Sequence, residues 1–227
     1  MKLKKFNLTK SFLLVFTFIL MFSTFLYAND TLTSEVGISF IAGDGPTKPV
    51  DPENPDIVNP IDPPVFGNLA VVYASNFYFG EVTLSTNKIK QYINKHSVPN
   101  VQVVDIRGTG AGWTLQAALS PVADEEDDTK IIKGAKINIE NNRPNSTASI
   151  DNSLTIRENV ELTSDNTPTT VVSAEVDAGM GLWVNRFYPY LDEEGEDSYV
   201  NFEIPSGFVE TGNYSGVVTW TLVNAPS

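Results

Sequence analysis

The chain has 227 residues, 41% hydrophobic and 11% aromatic, enough for one ordinary domain with appendages, and it has no cysteine. The missing thiol excludes disulfides, thiolate catalysis, lipid-modified cysteine and cysteine-based metal sites. Fifteen basic side chains against 28 acidic ones give a net charge of −13, which disfavours nucleic acid, anionic lipid and anionic wall polymers as direct electrostatic partners.

The first residues read as a processing signal. Lys2, Lys4, Lys5 and Lys10 precede an apolar run from Phe12 to Leu26, and small Ala28 then meets polar Asn29-Asp30. That pattern predicts a signal peptide over residues 1–28, cleavage between Ala28 and Asn29, and no stable membrane insertion afterwards, since the run is short for a membrane anchor. Cleavage removes four lysines and no acid, leaving 11 basic and 28 acidic side chains, a net of −17. So acidic a chain suits neutral glycan, a basic protein patch or contacts bridged by divalent cations.

Residues 29–44 carry Val36, Ile38 and Phe40 at alternate positions and read as a lone half-buried N-terminal strand. Residues 45–66 form a Pro/Asp-rich linker, with Pro46, Pro49, Pro52, Pro55, Pro60, Pro63 and Pro64. Its expected form is an extended polyproline-type spacer reaching on the order of 60 Å.

Residues 67–227 are patterned as β throughout. Leu69, Val71 and Tyr73 alternate, Phe77 to Val82 follows, and Val101 and Val103 lead into a glycine-rich turn. Trp113, Leu115, Ala117 and Leu119 then make one apolar row, and Ala135-Ile137-Ile139, Leu154-Ile156 and Val160-Leu162 alternate in turn. Val171-Val172, Leu182-Trp183-Val184 and Val200-Phe202-Ile204 precede a last strand with Val218, Trp220 and Leu222 on one face. No sustained 3.6-residue period occurs, and turn residues recur about every ten positions. The expected fold is an all-β antiparallel sandwich, jelly-roll-like.

Sites with chemistry are scarce. Gly108-Thr109-Gly110-Ala111-Gly112 lacks the last glycine of a dinucleotide fingerprint and is followed by a strand, so it reads as a turn. His96, the single histidine, lies in a polar loop without an orienting acid or an oxyanion hole. The acidic runs at 124–128 and 192–197 do not match the spacing of a calcium loop and read as solvated strand connections. No catalytic residue, metal ligand or cofactor is expected.

Two of the three tryptophans stand in the same tripeptide, Trp113-Thr114-Leu115 and Trp220-Thr221-Leu222. The first sits in Asp105-Ile106-Arg107-Gly108-Thr109-Gly110-Ala111-Gly112-Trp113-Thr114-Leu115. The second sits in Tyr214-Ser215-Gly216-Val217-Val218-Thr219-Trp220-Thr221-Leu222-Val223-Asn224-Ala225-Pro226. These segments resemble the two signatures of the WxL domain, a surface domain of certain low-GC Gram-positive bacteria. Ser75 to Gly80 is similar to that family's entry strand, and the loop Pro121 to Asp128 departs from its pattern.

The resemblance implies a secreted, non-catalytic protein held non-covalently on the cell wall, with peptidoglycan as ligand and companion surface proteins as partners. The chain ends at Asn224-Ala225-Pro226-Ser227 with no sorting motif, which fits retention without a covalent anchor. Trp113, Leu115, Trp220 and Leu222 are either binding surface or core, and a tryptophan on a strand face favours core. Trp183, beside Gly179-Met180-Gly181 and near Arg186, Tyr188 and Tyr190, is the expected exposed platform for stacking on sugars. A protein–protein module with indirect wall retention is the competing reading, and a secreted glycan hydrolase a remote one.

Overall fold

The computed structural model describes residues 35–43, 45–54, 57–58, 62–93, 98–140, 143–146, 154–187, 200–207 and 209–226. It divides into residues 1–39 and 40–227. In the first unit the described residues enter no ladder, and Val36 and Ile38 are 95% and 77% exposed. The strand expected at Glu35 to Phe40 is therefore not formed. Alternation makes a strand only where a neighbouring edge takes its amides.

The second unit is an antiparallel β-sandwich. One sheet has the order β1 (Leu69–Ala74), β3 (Asn100–Asp105), β11 (Gly181–Arg186) and β7 (Arg143–Ser146). The facing sheet has the order β14 (Val218–Val223), β4 (Trp113–Leu119), β10 (Thr169–Ala174) and β8 (Leu154–Ile156). Their edges meet, β1 beside β14 and β7 beside β8. That closure leaves little exposed ladder between the two sheets.

A third sheet, β2 (Ile89–Tyr92), β12 (Val200–Ile204), β6 (Lys136–Ile139) and β9 (Val160–Thr163), continues the core at the Leu119 end of β4. There Asn166 N–H donates to the Leu119 carbonyl. A two-stranded ribbon, β5 (Ala123–Asp124) with β13 (Tyr214–Ser215), completes the ladders.

The apolar row of β4 explains its central place. Trp113, Leu115, Ala117 and Leu119 are all fully buried in one core cluster with Val101, Val103, Val171 and Val172. Strand β3 is buried on both faces. Val101 and Val103 point into the core, while Gln102 and Val104 point out and are covered as well.

The cover over Gln102 comes from the Pro-rich segment. Val50, 5% exposed, donates its N–H to Gln102 Oε1 at 2.9 Å and accepts from Gln102 Nε2 at 2.8 Å. Bridges Thr47–Val65 and Val50–Val58 fold this stretch back on itself. The described residues of 45–66 thus form a strap on the sandwich and not an extended spacer. One buried glutamine amide outcompetes the extended form by satisfying both backbone groups of an apolar residue.

Two further expectations change. Phe77 to Val82 is not a strand, though Phe77 and Phe79 still pack on the core. Strand β2, whose sequence Ile89-Lys90-Gln91-Tyr92 carries little apolar alternation, is present because β12 supplies its ladder.

Candidate functional site

The two tryptophan motifs are adjacent antiparallel strands. Ala117 pairs with Trp220, Leu115 with Leu222 and Leu119 with Val218. Side chains directly opposite in a ladder share a face, so Trp113, Leu115, Trp220 and Leu222 all face the core. Their burial differs. Trp113 and Leu115 are sealed in a central strand, whereas Trp220 and Leu222, on the edge strand, are half-buried.

A turn between β10 and β11 seals the sealed half. Trp113 Nε1 donates to the Gly179 carbonyl at 2.9 Å, and Trp183 Nε1 donates to the next carbonyl, that of Met180, at 3.2 Å. A β-carbon on Gly179, at φ +72°, would lie 2.6 Å from Trp113 Nε1, so only glycine lets the backbone approach the indole this closely. The expectation of an exposed platform at Trp183 is corrected here. Trp183 is 7% exposed and belongs to the core cluster, because β11 lies inside its sheet between β3 and β7. Arg186, 3% exposed, is likewise buried on the other face of β11. Tyr188, Tyr190, Ala28, Asn29, His96 and the acidic run 192–197 lie outside the described residues.

Hydrogen bonds bind the two motifs to each other. Arg107 Nε and Nη2 fork onto the Asp105 carboxylate at 2.9 and 2.6 Å, and Nη2 also reaches the Gly112 carbonyl at 2.8 Å. Its Nη1 donates to Asn224 Oδ1 of the second motif. Thr114 Oγ1 donates to the Ala225 carbonyl at 2.8 Å. The carboxylate fork raises the Arg107 pKa above its ordinary value. Asp105 is buried and Arg107 half-buried, and the pair locks the glycine turn to the last strand. The sequence signal for this lock was the Asp-x-Arg spacing at the end of β3.

The half-open side of the pair is aromatic. Trp220 stacks on buried Phe187 with centroids 6.1 Å apart and an 8° interplanar angle, and Phe187 meets Phe77 at 6.4 Å. Phe77 is half-buried, and its neighbour Tyr78 is 75% exposed. On the opposite face of the two motif strands, Thr219 and Thr221 are exposed beside half-buried Gln116. Neither this face nor the aromatic edge carries a charge among the residues named. The acidic loop 124–128 is turned on itself, with Asp124 Oδ1 capping the amides of Glu126 and Asp127 and Asp127 Oδ1 accepting from Thr129.

No curated protein and no solved structure matches the chain. A family model described as "WxL domain surface cell wall-binding" matches residues 27–226, nearly the whole sequence. The chain therefore belongs to the WxL family of surface cell wall-binding domains.

Proposed function

We propose that this chain is exported with residues 1–28 removed and attaches non-covalently to peptidoglycan through the aromatic edge led by Trp220. The half-burial of Trp220 over Phe187 carries this reading. A rigid indole with its back packed and one border open is suited to stacking on a sugar face at low entropic cost. Phe187 backs that edge, and Trp113, Leu115 and Trp183 belong to the core of the same sandwich. The uncharged threonine row of β14 supplies hydroxyls for glycan hydrogen bonds, which a strongly acidic chain makes without electrostatic help.

The test is retention of the mature chain on bare peptidoglycan. Trp220→Ala should lose retention while its far-UV circular dichroism and cooperative unfolding stay native, Trp220→Phe should keep most of it, and added salt should leave binding equal or stronger. Release by moderate salt, or full retention of a folded Trp220→Ala, would overturn the proposal. Retention only in the presence of a companion surface protein would favour the protein–protein reading.

A further inference from the structure

We propose that Lys90 and Asn201 join in an intramolecular isopeptide bond, with Glu140 as the group that moves the protons. Three neighbouring strands bring the parts together. Lys90 lies on β2, Asn201 on β12, and Glu140 directly follows β6. Lys90 Nζ donates to Glu140 Oε1 at 2.8 Å, and Asn201 Nδ2 donates to the same oxygen at 3.1 Å. An amine and a carboxamide thus meet on one carboxylate, which is placed to serve both ends of an acyl transfer as general base and general acid.

The carbonyl is prepared as well. Asn138 Nδ2 donates to Asn201 Oδ1 at 3.0 Å, so the oxygen that gathers charge when its carbon is attacked already has a donor. Asn201 is fully buried, whereas the Lys90 and Glu140 side chains are 38% and 39% exposed. The electrophile is therefore held dry in one orientation, and the nucleophile approaches from the open side. Tyr92 stands directly opposite Asn201 in the ladder, and Lys90 Nζ lies 4.9 Å from the centre of the Tyr92 ring. The ammonium thus leans along β2 toward the asparagine, and a long side chain reaches a diagonal neighbour across a ladder.

The Nζ–Cγ bond forms and the Cγ–Nδ2 bond breaks. Two protons pass from the Lys90 ammonium through the Glu140 carboxylate to the departing nitrogen, which leaves as an ammonium ion, so no co-reactant is needed. The product staples edge strand β2 covalently to β12, its one neighbour in the sheet. The hydrogen bond to Glu140, and then that to Tyr92, holds the Lys90 pKa above its ordinary value. The amine is therefore charged near neutrality, and the bond forms faster as pH rises. The other named charges on this face are paired. Glu203, opposite Lys90 on β12, meets Lys88 at 3.1 Å, and Lys136 of β6 meets Glu161 at 3.0 Å.

The test is the intact mass of the purified chain. It should lie one ammonia, about 17 Da, below that of the sequence, with the shift complete after prolonged incubation at about pH 9. Proteolytic mapping should yield one branched peptide joining Lys90 to Asn201. Glu140→Gln removes the proton relay and Lys90→Arg removes the nucleophile. Both sit at half-exposed positions, should keep the native far-UV circular dichroism, and should hold the full mass through the same incubation. A wild-type mass that stays unshifted at about pH 9 would overturn the proposal. So would a loss of ammonia carried by a linear peptide, or an equal loss in folded Glu140→Gln.

Discussion

The two W-T-L motifs carry identical residues on neighbouring strands facing the same core, yet one tryptophan is sealed and the other half-open. The difference is position in the sheet. Strand β4 has β14 on one side and β10 on the other, while β14 borders only β4 within its sheet. The first indole also has its N–H capped by Gly179, and the second stacks on Phe187. The same letters therefore do different work: the inner copy holds the sandwich together, and the outer copy presents an aromatic border.

Breaking the inner copy should cost most. Trp113→Ala removes a fully buried indole, a loss of about 3–5 kcal/mol, and should leave the domain largely unfolded at 37 °C by circular dichroism. Arg107→Ala tests the lock between the motifs. It strands the buried Asp105 carboxylate and should cost about 3 kcal/mol in urea unfolding, and Arg107→Lys should recover only part because a lysine cannot make the fork. Trp220→Ala, at the outer copy, should cost about 1–2 kcal/mol, consistent with half-burial, and lower the melting temperature by a few degrees. An equal loss for Trp113→Ala and Trp220→Ala would erase the distinction between the two copies.

The smallest effect lies far from both motifs. Asp127 and Asp165 are held below their ordinary 3.8 by hydrogen bonds from Thr129 and Thr167 respectively. A carboxylate depressed in the folded state stabilises above its unfolded value, and that contribution fades as pH falls through the folded one. The stability difference between the native chain and an Asp127→Asn/Asp165→Asn variant should be constant above about pH 5 and shrink below about pH 4, measured by urea unfolding along the acid limb.

Much of this architecture was legible in the residues. Period-2 apolar rows located β1, β3, β4, β6, β8, β9, β12 and β14, because alternate residues entering a core leave a regular trace. Strand β2 was missed for the converse reason: an edge strand with Lys90 and Gln91 is held by its neighbour's ladder and not by its own pattern. The strap at Val50 was misread because prolines signal extension locally, while one distant glutamine decided where the segment lies. Trp183 was misplaced by the glycines before it, of which Gly179 marks close packing against Trp113 and not an open loop. Burial that depends on contacts between distant strands leaves no local signature.

The pairing of β14 with β4 also sets a timetable. Thr114 and Ala225, joined by a hydrogen bond, are 111 residues apart, and such long-range closure is slow because the intervening chain must be ordered first. A polypeptide delivered N-terminus first presents Trp113, Leu115 and Leu119 without their neighbouring strand until residues 218–225 arrive. Until then the core has an open side. The last strand acts as a latch on the sandwich, so the domain cannot close before its C-terminal residues are in place.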